Sequence, residues 1–219
     1  ATQEITVTSG SVGDGSFTDI RDGEIYHYIT IGNQTWMAEN LAFLPEVSYS
    51  SDGSDSSPYY YVNDYEGRDK SEAKSMPNYV TYGTLYNWEA AKTACPSGWH
   101  LPSDDEWKTL ELFLGMSQVD IDVPVGWRKT GSVGKKLKNS TGWPLSCNGD
   151  NSSGFTGIPG GFRYYYGEFV SPEGNASFWT STGGASNTSW ARYLGSYSDG
   201  VGRSTDIWSS GLSVRCLQN

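Results

Sequence analysis

The chain has too few aliphatic side chains to build an ordinary core, so its aromatic rings must build one. Nine Trp, fifteen Tyr and seven Phe make up 14% of the 219 residues, while the whole hydrophobic set reaches only 36%. Globular domains usually reach about 45–50%, with glycine counted. A buried ring removes far more area from water than a valine does, and a chain of this length can enclose one core. The 27 Gly and the abundant Ser, Asn and Asp assign much of the rest to turns and loops, since these residues accept positive φ or bond their own backbone. One aromatic-cored, loop-rich domain is expected.

A net charge of −10 argues against nucleic acid, whose phosphates need clustered Lys and Arg, and against anionic lipid surfaces. No apolar run approaches the roughly 20 residues that span a bilayer. The chain starts at Ala1 without a leader-like run, so any signal peptide or anchor is expected to have been removed. Three cysteines, Cys95, Cys147 and Cys216, allow at most one internal bridge. With two His, His27 and His100, and no C-x-x-C pair, neither a metal nor another cofactor is expected.

Residues 1–16 read as a linker or the tail of an upstream segment, and 17–219 as the domain. Asp22-Gly23 and Gly32-Asn33 are turn signals around the alternating run Tyr26–Ile31, and Thr35-Trp36-Met37 follows. From Val47 to Val80 the chain is poor in aliphatics and reads as one long surface loop. Two helices are expected. One lies in YGTLYNWEAAKTA, over about three turns. The other starts at the capping box Ser103-Asp104-Asp105-Glu106, with Trp107, Leu110, Phe113 and Leu114 as its apolar stripe and Gly115 at its end. From about Trp143 onward short strand-like runs alternate with Gly, Asn and Asp clusters. The fold class is α+β.

Seven strings resemble, in order, the Fibrobacter succinogenes major paralogous domain family. They are DIRDGEIYHYITIGNQTWMAENL (19–41), YGTLYNWEAA (82–91), CPSGWHLPSDDEW (95–107), GKKLK (134–138), SGFTGIPGGFR (153–163), FWTST (178–182) and GLSVRCLQN (211–219). The resemblance implies a C-type-lectin-like domain near the formylglycine-generating-enzyme type, with two helices, a small twisted antiparallel sheet, long loops and adjacent termini. It also implies a bridge between Cys95 and Cys216, closing a loop of about 120 residues and contributing at most about 5 kcal/mol. Cys147 would then be free. Some domains of this fold are diversified by retroelements near their end, and residues 179–217 match that location.

Catalysis is not expected. The formylglycine-generating chemistry of the enzymatic relatives needs two active-site thiols, and two of the three cysteines are claimed by the bridge. Neither histidine sits beside a nucleophile elbow, and Asp104-Asp105 are accounted for by helix capping. The segment 187–210 mixes Tyr, Trp, Ser, Gly and Asp as a paratope does. The candidate ligand-binding residues are Tyr193, Tyr197, Ser198, Asp199, Thr205, Asp206 and Trp208, extended by Tyr164, Tyr165 and Tyr166. Arg192, Arg203 and Arg215 are expected to be scaffold residues paired with acids. The expected role is a non-enzymatic, secreted or cell-surface domain (or a virion one) of a larger surface, pilus or phage-fibre protein, binding a protein or glycan receptor. The alternatives are a carbohydrate-binding module and an enzyme of the formylglycine-generating type.

Overall fold

The computed structural model describes residues 14–144, 146–170 and 172–219; residues 1–13, most of the stretch read as a linker, lie outside them. The first strand, β1 (Gly15–Thr18), begins two residues before the expected domain boundary. It pairs antiparallel with β2 (Ile25–Ile31), which pairs with β3 (Gln34–Met37). Both turn signals hold: Gly23 (φ 81°) and Gly32 (φ 66°) take the left-handed conformation that these tight connections require.

The stretch expected to be one surface loop is instead structured. It contains β4 (Tyr60–Tyr61), α1 (Lys70–Ser75) and α2 (Pro77–Tyr82). Leu44, Val47, Val62, Tyr65, Ala73 and Tyr79 form a small core of their own. Polar composition concealed this because two tyrosines and an alanine supply half of the cluster. The chain then makes β5 (Leu85–Tyr86) before α3 (Trp88–Ala94), a helix shorter than expected. Asn87 sets its start by accepting from the Ala90 amide at 3.1 Å.

After β6 (Trp99–His100) comes α4 (Asp104–Phe113), entered through the expected capping box. Ser103 Oγ accepts from the Glu106 amide at 3.2 Å, and Glu106 accepts from the Ser103 amide at 2.7 Å. The remaining elements are α5 (Gln118–Ile121), β7 (Gly126–Arg128), α6 (Val133–Leu137), β8 (Phe162–Arg163) and β9 (Phe169–Val170). Last come β10 (Asn175–Gly183), β11 (Thr188–Gly195), β12 (Val201–Ile207) and β13 (Leu217–Gln218). The described residues thus hold six α-helices, not two. The additional four are one to two turns long, too short for a hydrophobic period to reveal.

Two larger sheets organise the described residues, beside the two-stranded pairs β4-β5 and β8-β9. The first runs β1-β2-β3-β13-β6, so the final strand is inserted between elements from early in the chain. The second runs β10-β11-β12-β7. The α+β class stands. The core is aromatic, as composition requires: Trp36 and Trp107 meet at 4.9 Å between centroids, with Phe155 and Phe178 packed around Trp107 at 5.6 and 5.7 Å. Cys95 and Cys216 are bridged, their Cα atoms 5.9 Å apart, and Cys147 is free.

Candidate functional site

The four-stranded sheet determines which side chains meet. Its register aligns Ser177 with Tyr193, Tyr193 with Gly202, and Gly202 with Trp127. Because side chains alternate faces along a strand, these four residues form one row across all four strands, alternating small and large. The neighbouring row, Phe178, Arg192, Arg203 and Gly126, points to the other face, toward α4.

That inner row carries a buried ionic cluster. Arg192 and Arg203 are cross-strand partners, an arrangement of like charges that is unfavourable by itself. Asp104, from the first turn of α4, joins them. Its Oδ1 accepts from Arg192 at 2.7 Å and Arg203 at 2.9 Å, and its Oδ2 from Arg203 at 2.7 Å. Glu111, two turns on, accepts from Arg192 at 2.7 Å and holds Arg128 of β7 through two bonds of 2.8 and 2.6 Å. Burial opposes ionisation of Asp104, but the bonds from Arg203 and Arg192 outweigh it and hold the carboxyl well below its ordinary range. Asp104 therefore does more than favour the helix dipole: it ties α4 to the sheet. Arg215 departs from the expectation. It donates to the carbonyls of Met37 and Phe155 and to Asn40 Oδ1, over the Phe155 ring, with no carboxylate partner among the described residues.

The outer row floors a groove of about 340 Å³. Trp127, Tyr193, Tyr197, Phe162 and Tyr164 supply its aromatic walls, and Asn175, Ser177 and Ser204 its polar groups. Gly202 opens the floor: a Cβ there would meet Tyr193 at 3.0 Å and the Trp127 ring at 3.4 Å. Tyr197 is 70% exposed and stands edge-on to Trp127 at 5.1 Å. Tyr193 donates to Asp206 Oδ2 at 3.1 Å, and Asp206 also accepts from Ser210 Oγ and the Ile207 amide. Burial raises the Asp206 carboxyl above its ordinary value against these bonds. Burial, with Asp206 alongside, pushes the Tyr193 phenol well up. Tyr193 is thus a fixed wall, not a free hydroxyl.

The ten expected binding residues separate by placement. Tyr193, Tyr197 and Tyr164 line the groove, and Asp206 braces Tyr193 from below. Tyr165 and Tyr166 face a second pocket across the β8–β9 hairpin. Thr205 falls on the opposite face of β12, one position out of phase with Ser204 and Asp206. Ser198 is buried in the β11–β12 turn, where its hydroxyl accepts from the Gly200 amide. Asp199 is exposed beside Lys138 at 3.8 Å. Trp208 stacks on Trp88 at 4.9 Å, against a buried cluster that includes Tyr86, Trp99 and Trp179. Sequence reasoning missed Trp127, Phe162, Asn175, Ser177 and Ser204. Trp127 sits in a three-residue strand, and only its pairing with β12 reveals its role.

The two histidines are both tied to glutamates. His27 Nδ1 lies 2.6 Å from Glu39, and His100 lies 3.0 Å from Glu106 and 2.7 Å from Asn219 Oδ1. Among the described residues, none of the groove-lining side chains is a thiol, imidazole or carboxylate. No group of acids, histidines and cysteines with metal-binding geometry occurs among them either.

Comparison with known proteins finds no match among curated proteins or solved structures. Residues 29–218 match the Fibrobacter succinogenes major domain, a span that takes in both sheets from within β2 onward. The chain belongs to the Fibrobacter succinogenes major domain family.

Proposed function

We propose that this chain is a non-enzymatic, extracellular ligand-binding domain, the adhesive or receptor-binding part of a larger surface, pilus or phage-fibre protein. Its ligand surface is the aromatic groove on the four-stranded sheet. The observation that carries the reading is the Ser177–Tyr193–Gly202–Trp127 row, which leaves a concave floor between rigid rings. Aromatic side chains offer contact area at low entropic cost, and the strands that carry Trp127 and Tyr193 are tied to α4 on their other face by the Asp104–Glu111–arginine cluster. Ser177 and Ser204 line the groove without an imidazole or carboxylate among the other lining residues to activate them, which favours binding over catalysis. Cys147 packs against the aromatic core around Trp36 and Trp107, outside the groove lining, which weighs against formylglycine-generating chemistry here. The bridge between Cys95 and Cys216 supports an oxidising compartment.

The C-type-lectin-like fold belongs to the same proposal. It is supported by β13 lying between β3 and β6 and by the long-range bridge. We extend it to diversification within 179–217, where the groove-lining Tyr193, Tyr197 and Ser204 interleave with the buried Ala191, Arg192, Leu194 and Val201. An adjacent near-copy of the locus with adenines at the groove-facing codons supports this; a locus without the copy and a reverse transcriptase overturns it. For the groove, Trp127→Ala and Tyr197→Ala are screened on arrays of glycans and of surface proteins. Loss of the native signal with an unchanged melting temperature supports the assignment. Retained binding in both variants refutes it.

A further inference from the structure

The groove ends against Tyr164, and Tyr164 is one ring of a stack. Phe162 meets it edge-on at 4.7 Å, and Tyr166 lies parallel to its other side at 5.0 Å and 10°. Tyr165 closes the set, edge-on to Tyr166 at 5.1 Å. All three tyrosines are exposed, by 37, 51 and 57% in order, so the stack presents ring surface to solvent. The backbone that carries them is anchored at Arg163. Arg163, fully buried beneath them, donates to the carbonyls of Ser50, Asp52 and Ser209 at 2.7–2.8 Å and lies over the Tyr61 ring at 4.4 Å.

The same clamp fixes the loop that faces the tyrosines. Ser51, Gly53, Ser54, Asp55 and Ser209 form the polar wall of a second pocket, of about 330 Å³, whose other wall is Tyr165 and Tyr166. Asp55 Oδ2 accepts from Asn187 at 3.1 Å, but its Oδ1 receives no hydrogen bond. One wall is aromatic and the other offers the hydroxyls of Ser51, Ser54 and Ser209 and the Asp55 carboxylate, whose Oδ1 is shielded from solvent and whose Oδ2 keeps capacity beyond the Asn187 bond. A pyranose ring has matching sides, an apolar C–H face and an edge of hydroxyl donors. Both pockets fall within the about 300–1,000 Å³ of small-ligand sites, where a folded protein partner would meet a flatter face. The first groove also carries no charged lining side chain except Arg203, which Asp104 neutralises from the inner face. A neutral ligand fits it.

Taking the aromatic groove as the ligand surface, we propose that the ligand is a neutral glycan chain. It passes over the Tyr164–Tyr166 stack and fills both pockets, with Asp55 accepting from hydroxyls in the second. The two pockets are then subsites of one site, divided by a stacked pair of rings.

The test uses the intact, disulfide-bonded chain, labelled with 15N and titrated with cellohexaose, xylohexaose, mannohexaose and N-acetylchitohexaose and with the disaccharide of each. One hexasaccharide is expected to bind at least about tenfold tighter than its disaccharide and to shift amides both around Trp127 and at 53–55 and 165–166. Asp55→Asn and Tyr166→Ala should each weaken that hexasaccharide about tenfold and leave the disaccharide unaffected. Tyr166→Phe, which keeps the ring, should bind as the native chain does and separates stacking from misfolding. Equal affinity for both lengths, with shifts confined to the Trp127 side, overturns the second subsite and leaves the groove intact. Failure of all four hexasaccharides, while a Tyr197-dependent array signal persists, overturns the glycan and not the groove. Shifts confined to 53–55 and 165–166 overturn the two-sided ligand together with the groove reading.

Discussion

Replacing Asp104 with asparagine removes one charge from the cluster that joins α4 to the ligand-bearing sheet. In the native chain Asp104 accepts three hydrogen bonds from Arg192 and Arg203 and lies 3.0 Å from Lys108. Asparagine keeps the volume and one acceptor oxygen. It leaves Arg128, Arg192 and Arg203, all buried, to share Glu111. Breaking a buried ion pair from one side costs about 3–5 kcal/mol, because the partner charge stays behind uncompensated. For a domain of this size each kcal/mol shifts the melting temperature by roughly 2–4 °C, so a fall of about 6–20 °C is expected. Urea unfolding at pH 7 should show a lower midpoint at unchanged slope. The pH dependence tests the cause. The folded-state pKa of Asp104 is depressed, so its contribution is present above the unfolded value of about 3.9 and is lost as pH falls toward the folded one. The gap between the native chain and Asp104→Asn should therefore close below about pH 4. A loss under about 1 kcal/mol at pH 7, or a gap that persists in acid, refutes the claim that Asp104 holds the two guanidiniums together.

Asp206 should behave with the opposite sign. Its folded pKa is raised, so its contribution is fully present below about pH 4 and is lost as pH rises; Asp206→Asn should gain on the native chain between about pH 4 and 7 in the same unfolding series. Gly202→Ala puts a Cβ at 3.0 Å from Tyr193, and calorimetric titration should show ligand affinity falling while stability changes by less than about 1 kcal/mol. Lys138→Met deprives the Gly195 and Ser198 carbonyls of their shared ammonium donor; a loss of about 1–3 kcal/mol is expected, with faster amide exchange at 196–200. Reducing the Cys95–Cys216 bridge should cost up to about 5 kcal/mol, measured as the shift in urea midpoint with and without reductant.

Features with a local signature were legible in the sequence. The capping box at Ser103, the two glycine turns and the aromatic core follow from residues that act within a few positions of themselves. The groove was legible only in half. Tyr193, Tyr197 and Tyr164 stand out by type and surroundings, but their company depends on register. Nothing near Trp127 announces that it lies one strand from Gly202. The same lack of register put Thr205 on the wrong side of its strand and made Trp208 look like a contact residue when it stacks on Trp88. Asp104 shows a second limit. Its position in the first turn of a helix was explanation enough, so its stronger engagement with two arginines about 90 and 100 residues away went unread.

The placement of β13 has a consequence for the order in which the chain can acquire its structure. Leu217 pairs with both Trp36 and His100, so one strand must find an opening between partners about 180 and 120 residues earlier, after the chain between them has collapsed. β1, β2 and β3 can associate as soon as they are made, since glycine turns join neighbours. The sheet they begin stays split at its middle until the last strand arrives. Until then the edges of β3 and β6 expose unpaired backbone, and Cys95 is without its native partner Cys216. Such non-local closure makes for slow, late sealing, and a chaperone or export factor acting on this domain would find that slot as its most persistent open edge.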